Sequence, residues 1–233
     1  MKTAYREVDI FADAGGYESF IAGDINGPVP YESRLYSVIK RMIDIAGALL
    51  GLILILPLLP FLILMIKVDS PGPVLFKQER VGYRGRIFPC YKFRSMERGA
   101  EARKSELSHM NEATGAAFKI QDDPRITGVG RYIRSSSLDE FPQLFNVLKG
   151  DMSIVGPRPQ IPSEVAEYTS AQARRLLVRP GLTCLWQVSG RSQLDFTEWM
   201  ALDLAYVRQR SLRFDLWVLS RTIPAVIERK GAY

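Results

Sequence analysis

The sequence has few of the side chains on which most hydrolytic and metal sites depend. Its 233 residues include one histidine and two cysteines. The histidine, His109, lies in a polar stretch with no serine or acidic motif around it, so histidine-dependent hydrolase chemistry is not expected. Cys90 and Cys184 lie far apart and lack the spacing of zinc ligands. We therefore expect two buried, reduced thiols in preference to a zinc site or a disulfide.

The sequence also lacks a recognisable secretory leader, an internal repeat and a low-complexity tract. Residues 1–33 mix acidic residues, glycines and prolines without a sustained hydrophobic period, and we expect them to form a loosely ordered tail. Acidic residues are in the minority, at 25 against 31 lysines and arginines, which gives a formal net charge of +6. This balance favours anionic partners, such as nucleic acid, anionic lipid or phosphorylated small molecules.

Charge is absent from Ile45 to Ile66, a run that is long enough to cross a bilayer. Pro57 and Pro60 lie near its middle, where each removes a backbone donor and interrupts a helix. Basic residues, which mark the cytoplasmic side of a membrane, flank both ends of the run. A kinked spanning helix is compatible with the prolines. The flanks favour a re-entrant helix–break–helix hairpin over residues 34–67. The first arm of its uncharged run, Ile45 to Leu56, would reach about 18 Å.

The remaining residues, 68–233, predict one polar domain of the α+β class in which helices predominate. "SPGPVLFKQERVGYRGRIFPCYKFRSM" alternates apolar and basic residues around two glycines and predicts a β-hairpin. Mixed charges over residues 97–111 predict an exposed helix, and the apolar spacing of residues 141–148 predicts a second helix that ends at Gly150. "MSIV" predicts a short buried strand. The basic and apolar C-terminal stretch is typical either of an interfacial helix in the lipid headgroup region or of a helix that docks on the core.

Two adjacent carboxylates, Asp139 and Glu140, stand beside an apolar run in "SSSLDEFPQLFNVLKG". Ser137 and Glu140 match a capping box, in which each side chain bonds the backbone amide of the other residue. That hypothesis leaves Asp139 without a partner, because neighbouring residues of a helix point about 100° apart. Asp139 is then free to meet a phosphate at the amino end of the helix through a bridging cation, typically Mg²⁺.

A set of basic residues falls in segments punctuated by glycine or proline, away from regular solvated faces. Its members are Lys92, Arg94, Arg125, Arg131, Arg134, Arg158, Arg179 and Arg191. The prolines on each side of Arg158 in "GPRP" limit its conformations and favour a fixed, two-pronged contact with phosphate. Taken singly, each of these cations is more often part of a surface ion pair. Taken together, they predict a phosphate site.

Several motifs that follow one another along the chain resemble a known family. They are "KRMIDI", "GPVLFKQERVG", "YKFRSM", "DDPRIT", "SLDEFPQLFNVLKGDMSIVGPRP", "RPGLTCLWQVSGR" and "KGAY". From about Lys40 to the end, the chain resembles the bacterial sugar transferases, the monotopic phosphoglycosyl transferases that begin glycan assembly on a polyprenol phosphate carrier. "FKIQDDPRIT" is most similar to the exopolysaccharide-initiating branch. The lack of an N-terminal multi-span region is expected of the compact form of the family.

The resemblance implies a reaction and roles for individual residues. Members of this family transfer a sugar 1-phosphate, usually from a UDP-sugar, to undecaprenyl phosphate with Mg²⁺, and they release UMP. Asp139 matches the family's nucleophile and Glu140 its partner, so the pair is the expected catalytic and magnesium site, and Pro57 matches the break of the membrane hairpin. The expected substrate-binding residues are Lys92, Arg94, Arg125, Arg158, Arg179 and Arg191.

The resemblance also implies a location and partners. It places the protein on the bacterial cytoplasmic (inner) membrane, with membrane lipid as a partner, the catalytic domain facing the cytoplasm and no nucleic acid; a homodimer is left open. A covalent phosphosugar on Asp139 would split the transfer into two steps, which suits a soluble donor and a lipid acceptor. One departure is Cys184, where many members have glycine, which puts the geometry of that loop in question.

Two rival functions use the same features. A membrane-anchored glycosyltransferase would take the same donor but would release UDP. A non-catalytic membrane adaptor that binds polyanions would use the same arginines and the same apolar run, but it would not need Asp139. The nucleotide product separates the three hypotheses.

Overall fold

The computed structural model describes residues 33–112, 118, 120–190 and 194–228, and in this part of the chain helices outweigh short sheets. The helices are α1 (Arg34–Ile55), α2 (Leu59–Asp69), α3 (Gly128–Ser135), α4 (Gln143–Lys149), α5 (Pro162–Val165), α6 (Leu185–Ser189), α7 (Phe196–Gln209) and α8 (Leu212–Glu228). The strands are β1 (Leu75–Val81), β2 (Ile87–Phe93), β3 (Ser153–Val155) and β4 (Gly181–Thr183). A mainly helical α+β fold is therefore confirmed. The predicted tail up to residue 32 lies outside the described residues.

The apolar run forms α1 and α2. Ser33 caps α1, because its hydroxyl oxygen accepts a hydrogen bond from the amide of Tyr36 at 3.1 Å. A 3-10 turn, Leu56–Leu58, separates the two helices and contains Pro57, so the helix is interrupted where the prolines predict. The whole segment Arg34–Asp69 is apolar and long enough to cross a membrane, and only 17% of its most apolar window is buried. Its re-entrant path remains a prediction.

Both helices of the apolar segment pack on the rest of the chain. Ala48 of α1 joins a buried cluster with Leu144 of α4, and Ile66 of α2 joins a second cluster with Phe93 and Ile133. Burying an aliphatic or aromatic side chain of this size stabilises a fold by about 1.5–3 kcal/mol. The apolar segment is therefore part of the same packed body as the polar domain.

Polar bonds fix the first half of α1 to β3. Asp44 is 3% exposed, and its Oδ1 accepts hydrogen bonds from the hydroxyl of Ser153 and the amide of Ile154, both at 2.9 Å. Lys40 donates from Nζ to the carbonyl of Val155 at 3.0 Å and to Asp215 at 2.9 Å. Because β3 leads directly into the "GPRP" loop, these contacts join the membrane helix to the loop that carries Arg158.

The predicted β-hairpin is confirmed. Strands β1 and β2 pair in antiparallel orientation, with Gln78 opposite Cys90 and Val81 opposite Ile87. The predicted strand at "MSIV" is also present, and β3 pairs in parallel with β4. A Cβ added to Gly156 would lie 2.4 Å from the carbonyl oxygen of Arg179, so only glycine fits where the chain leaves β3 against β4.

The helix predicted over residues 97–111 is wrong. The segment forms two short 3-10 turns, Ala102–Lys104 and Ser108–Met110, and Gly99 has a left-handed backbone with φ of 84°. A short helix needs an apolar face to bury, because its own hydrogen bonds do not offset the cost of ordering it. This charged segment has few apolar side chains to bury, so its intrinsic helix preference does not suffice.

The C-terminal stretch divides into α7 and α8. In α8, Phe214 and Val218 are buried in the core, which is the docking alternative that the sequence left open. Leu216, Ile223 and Ile227 remain exposed on the same helix, at 56%, 65% and 74%. One side of α8 therefore docks on the core, and an interfacial position for its exposed apolar residues remains a prediction.

Candidate active site

The turn that carries the two carboxylates does not form the capping box that Ser137 and Glu140 match in the sequence. Leu138–Glu140 is a single 3-10 turn, and α4 begins only at Gln143, after Pro142. Ser137 has a left-handed backbone with φ of 57°, and its side chain makes no capping hydrogen bond. That conformation is uncommon for a residue other than glycine. The capping interpretation of Glu140 is therefore wrong, and the helix starts later than a capping box requires.

Glu140 is bound by two cations instead. Arg158 pairs with it through both terminal guanidinium nitrogens: Nη2 bonds Oε1, and Nη1 donates to Oε2 at 3.3 Å. Lys92, from the end of β2, donates from Nζ to Oε1 at 2.9 Å. A two-pronged pair of this kind fixes direction as well as charge. The charge of Glu140 is thus neutralised within the site.

Asp139 lies beside this cluster but is not bonded into it. The residue is 6% exposed, and the nearest cation, the Lys92 ammonium nitrogen, is 3.9 Å from Oδ2. No described residue donates a hydrogen bond to the Asp139 carboxylate. A largely buried carboxylate that accepts no hydrogen bond from the surrounding protein is more typical of a functional group than of a structural one.

The two carboxyl groups differ in acidity. Burial raises the pKa of Asp139; the charge of Lys92 opposes this effect, and the neighbouring Glu140 charge adds to it. Burial also acts on Glu140, but its ion pairs with Arg158 and Lys92 outweigh burial and hold the pKa of that carboxyl well below its usual range. Glu140 therefore remains ionised, and Asp139 is the member of the pair that titrates closer to neutrality.

The loop that carries Arg158 is held along its main chain. Four consecutive carbonyl groups, from Pro157 to Gln160, each accept a hydrogen bond at 2.7 to 2.9 Å, from Gly181, Arg175, Arg80 and Val81 in that order. Pro157 and Pro159 have a fixed φ and no N–H group. The restriction that the prolines predict for Arg158 is therefore reinforced by hydrogen bonds from three other segments.

Arg80 is a site residue that the sequence reasoning missed. Its Nη1 donates to the carbonyl of Pro159 at 2.9 Å, and burial together with the nearby charge of Arg158 lowers its pKa. The signal was present in the predicted hairpin, because residues opposite each other in an antiparallel pair share a face. With Gln78 opposite Cys90, the side chains of Arg80 and Lys92 stand on the same face.

Three of the predicted substrate-binding arginines make their bonds elsewhere. Arg94 is buried, and its guanidinium group donates to the carbonyls of Ile66, Ser70 and Pro71 at 2.5 to 3.1 Å. The last carbonyls of a helix lack intrahelical partners, so Arg94 completes the end of α2. In the structure it joins the membrane segment to β2, the strand that carries Lys92.

Arg125 and Arg179 also make their bonds away from the two adjacent carboxylates, Asp139 and Glu140, which we call the dyad. Arg125 is 4% exposed and forms an ion pair with Asp123 at 2.6 Å. Arg179 is exposed and donates from Nε to the carbonyl of Gly150 at 3.2 Å. Arg191 lies outside the described residues. Of the six predicted substrate-binding residues, the structure thus brings Lys92 and Arg158 to the carboxylates.

Both cysteines are buried free thiols, as the sequence predicts. Burial raises the pKa of Cys90 and of Cys184, so neither is a reactive thiolate at neutral pH. The backbone of Cys184 is extended, with φ of −144°, a conformation open to any residue. Cysteine in place of the family's glycine therefore needs no unusual backbone.

An apolar cavity of about 680 Å³ adjoins the dyad. Helix α1 lines one side with small residues, Ala46, Gly47 and Gly51, and α8 lines the other. Its polar lining residues are Ser136, Ser137, Glu140, Thr183, Gln187 and Thr222. Its lining suits a ligand with an apolar chain and a polar head.

The dyad can hold a metal only together with other ligands. Within the described ranges, no three His, Cys, Asp or Glu side chains converge. Mg²⁺ is commonly held by one or two carboxylates and completes its shell with water and substrate phosphates. Both oxygens of Glu140 already contact cations, which leaves Asp139 as the less occupied carboxylate. The pair fits an ion that arrives with a phosphate ligand.

Comparisons with known proteins give relatives of two lengths. The chain is 45% identical over 209 residues to galactosyl transferase CpsE of Streptococcus agalactiae serotype III, which covers 88% of the chain and 46% of that protein. It is 44% identical over 199 residues to undecaprenyl-phosphate galactose phosphotransferase of Salmonella typhimurium, which covers 84% of the chain and 42% of that protein. The chain therefore spans less than half the length of these two relatives.

A shorter relative matches over most of its length. Exopolysaccharide production protein ExoY of Sinorhizobium fredii is 41% identical over 198 residues, or 83% of the chain and 88% of that protein. The bacterial sugar transferase family model matches residues 35–229, a range that contains the dyad and Arg158. The chain belongs to the bacterial sugar transferase family.

Proposed function

We propose that the chain is a phosphoglycosyl transferase that moves a sugar 1-phosphate from a UDP-sugar to undecaprenyl phosphate and releases UMP. The observation that carries the proposal is the largely buried carboxylate of Asp139, which accepts no hydrogen bond from the described residues, beside a Glu140 neutralised by Arg158 and Lys92. Family membership supports the reaction class. The names of the Salmonella and Sinorhizobium relatives support an undecaprenyl-phosphate acceptor and a role in exopolysaccharide production.

In the first step, a carboxylate oxygen of Asp139 attacks the phosphorus that bears the sugar. A new O–P bond forms, the bond between that phosphorus and the bridging oxygen breaks, and the electron pair leaves with UMP. The product is an aspartyl phosphosugar, a mixed anhydride that retains the sugar's bond to phosphate. Lys92 lies 3.9 Å from the Asp139 carboxylate and Arg158 pairs with the adjacent Glu140, so both supply positive charge for the donor's phosphates.

In the second step, a phosphate oxygen of undecaprenyl phosphate attacks the same phosphorus. The Asp139 O–P bond breaks, the carboxylate is regenerated, and the sugar leaves on a lipid pyrophosphate. The two substrates need not occupy the site together, which suits a soluble donor and a membrane-bound acceptor. Holding the acceptor at the membrane surface replaces a three-dimensional search with a local one.

The asymmetry of the dyad supports Asp139 as the nucleophile. Glu140 is held by two cations and has a depressed pKa, which makes it a weak base and a poor attacking group. Asp139 is desolvated and has a raised pKa, so its ionised form is the more nucleophilic of the two. Glu140 in turn orients Arg158 and Lys92. Asp139 and Glu140 are also the residues that would hold Mg²⁺, which when bound supplies charge to the pyrophosphate and activates the leaving group.

The cavity between α1 and α8 supports a lipid acceptor. Its wall is mostly apolar and formed in part by α1, and Glu140, Ser136 and Ser137 of the catalytic turn also line it. A prenyl chain in this cavity would bring its phosphate to the dyad, where Arg158 and Lys92 could receive it. A water-soluble acceptor would not need such a wall.

The contacts of the apolar segment support a re-entrant hairpin on the cytoplasmic face of the inner membrane. Lys40, near the start of α1, bonds to Val155, and the end of α2 is bound by Arg94. Both ends of the segment therefore meet one polar domain, which itself cannot enter the hydrocarbon. A spanning path would move the two ends to opposite sides of the bilayer. The proposed boundaries are residues 34–67 for the hairpin and 68–233 for the catalytic domain.

The nucleotide product tests the proposal against its rivals. The purified protein is incubated with a panel of UDP-sugars, with and without undecaprenyl phosphate, and the nucleotide is identified by chromatography. UMP and a lipid pyrophosphate sugar are expected for one or more of the sugars. Release of UDP would indicate a glycosyltransferase. Absence of any product with every sugar, with binding of polyanions intact, would favour a membrane adaptor.

A further inference from the structure

Arg175 is a buried arginine whose bonds meet the backbone of the loop that carries Arg158. It belongs to the 3-10 turn Gln172–Leu177 and is 3% exposed. Its Nη2 donates to the carbonyl oxygen of Arg158 at 2.7 Å and also pairs with the carboxylate of Asp203. Its Nη1 donates to the hydroxyl oxygen of Tyr168 at 2.5 Å. Three acceptors from three segments thus define the plane of one guanidinium group.

The pair formed by Arg175 and Asp203 is costly to bury. Asp203 lies on α7 and is 1% exposed, and burial raises its pKa to about 6 despite the opposing charge of Arg175. Buried ion pairs often contribute little net stability, because desolvation cancels much of their attraction. Arg175 also bonds directly to the loop that carries Arg158. We therefore expect this ion pair to fix the geometry of that loop rather than to stabilise the whole fold.

The position of the contact makes that role specific. The prolines on each side of Arg158 have no N–H group, so the carbonyl groups carry the main-chain hydrogen bonds of the loop. The carbonyl of Arg158 is one bond from the Cα atom that carries its side chain. A change in the tilt of this peptide unit would swing the guanidinium group away from Glu140, and a displacement of about 1 Å at a reacting centre can cost a factor of 10² in rate.

We propose that Arg175, aligned by Asp203 and Tyr168, is a positioning residue that sets the orientation of Arg158 toward the phosphates of the donor. The inference rests on the proposed function, because it gives Arg175 an effect only through Arg158. Arg175→Lys keeps the charge opposite Asp203. The same substitution removes the planar guanidinium group, which bonds three acceptors at fixed angles.

A double-mutant cycle separates positioning from general stability. Arg175→Lys, Arg158→Lys and the double variant are compared by kcat/KM for UMP release, with each rate divided by the fraction of molecules that form the phosphosugar adduct. Arg103→Lys is the matched control, because Arg103 is exposed and pairs with Glu97. Tyr168→Phe is a milder variant that removes only the hydroxyl acceptor of Arg175, in case Arg175→Lys folds poorly.

The inference predicts that the effect of Arg175→Lys on kcat/KM depends on whether Arg158 is present. Arg175→Lys should lower kcat/KM about tenfold or more in the wild-type background and less than threefold when Arg158 is already lysine. Tyr168→Phe should show a smaller loss with the same coupling, and the control should change neither background. Equal factors in both backgrounds, or no loss from Arg175→Lys, would overturn the inference. If the wild type releases UMP and Arg158→Lys reduces it, those results leave the proposed function standing; an inactive wild type would instead overturn both.

Discussion

The guanidinium group of Arg158 contacts both carboxylate oxygens of Glu140, and the ammonium group of Lys92 contacts the same carboxylate. Asp139, the preceding residue, accepts no hydrogen bond from the described residues, and the Lys92 ammonium nitrogen is 3.9 Å from its Oδ2. The two adjacent carboxylates therefore have different environments, one neutralised and one buried without a bonded cation. This difference indicates that Asp139 is the carboxylate that is free to react, and it leads to the following predictions.

Arg158→Lys should lose activity although it keeps its charge. Lysine cannot contact both oxygens of Glu140 or grip a phosphate at two points. We expect a loss of about 2 kcal/mol of transition-state stabilisation, or roughly 30-fold in kcat/KM for UMP release. Full activity of the lysine variant would mean that Arg158 has no part in binding the donor.

Glu140→Gln should be inactive or nearly so, and it should still fold. Glutamine keeps the size of the side chain but leaves Arg158 and Lys92 without their counter-charge, so both cations lose their fixed positions. We expect a fall in kcat and a loss of stability of about 1–3 kcal/mol. Glu79→Gln, on the exposed side of β1, is the matched control and should change neither. An active Glu140→Gln protein would contradict a role for Glu140 in the chemistry.

Adduct formation should rise with pH. Burial raises the pKa of the Asp139 carboxyl above its ordinary value of about 3.9, so protonation removes the nucleophile below that raised pKa. Single-turnover UMP release should increase with pH through an apparent pKa above 3.9 that belongs to the carboxyl pair. Glu140→Gln should move this acid limb to lower pH in any residual activity, because it removes a neighbouring negative charge. A rate that stays flat until the protein unfolds in acid would contradict the assignment.

The two ends of the apolar segment should lie on the same side of the membrane. Cysteines placed at Ser33 and at Ser70 should react with a membrane-impermeant reagent from the cytoplasmic side only. The wild-type protein is the control, because Cys90 and Cys184 are 2% and 1% exposed and should give little background. Labelling from opposite sides would show a spanning helix.

Replacing Pro57 together with Pro60 by leucine tests the cause of the re-entrant path. Both prolines lie at or next to the 3-10 turn that separates α1 from α2, and leucine would restore the missing amide donors and remove the clash with the preceding turn. The variant should shift Ser70 toward the opposite side in the same labelling assay. An unchanged pattern would mean that the contacts of Arg94 and the flanking charges alone set the topology.

Local signals in the sequence predicted local structure. The uncharged run with its prolines predicted the interrupted helix. The alternation around two glycines predicted the β-hairpin, and Lys149-Gly150 predicted the end of α4. These features depend on neighbouring residues, whose preferences can be judged from the sequence. The adjacent carboxylates and the rigid "GPRP" loop were likewise visible as short motifs.

Long-range contacts decided what the sequence could not. The capping box was a sound local hypothesis for Glu140, but the side chain bonds instead to Lys92 and Arg158, which lie 48 and 18 residues away. Arg94 was predicted to bind phosphate because it falls in a segment punctuated by glycine or proline, yet its guanidinium group bonds carbonyls at the end of α2, 23 to 28 residues away. Choosing among many cations requires knowing which acceptors the fold brings to each of them.

Asp139→Asn should abolish transfer without weakening the fold. Asparagine keeps the size of the side chain but has no charge with which to attack phosphorus. A carboxyl whose pKa is raised on folding destabilises the folded state above that pKa, so removing its charge should raise the midpoint of thermal unfolding at neutral pH. An inactive variant that is also less stable would indicate that Asp139 supports the structure instead.

The most direct test of the account is mass spectrometry of the wild-type protein quenched after incubation with a suitable UDP-sugar and no lipid. We expect a phosphosugar adduct on the peptide that contains Asp139, with UMP released in an amount that matches the adduct. Asp139→Asn should give neither product. Release of UMP only after undecaprenyl phosphate is added, with no adduct on any peptide, would contradict the account and indicate direct attack by the lipid phosphate.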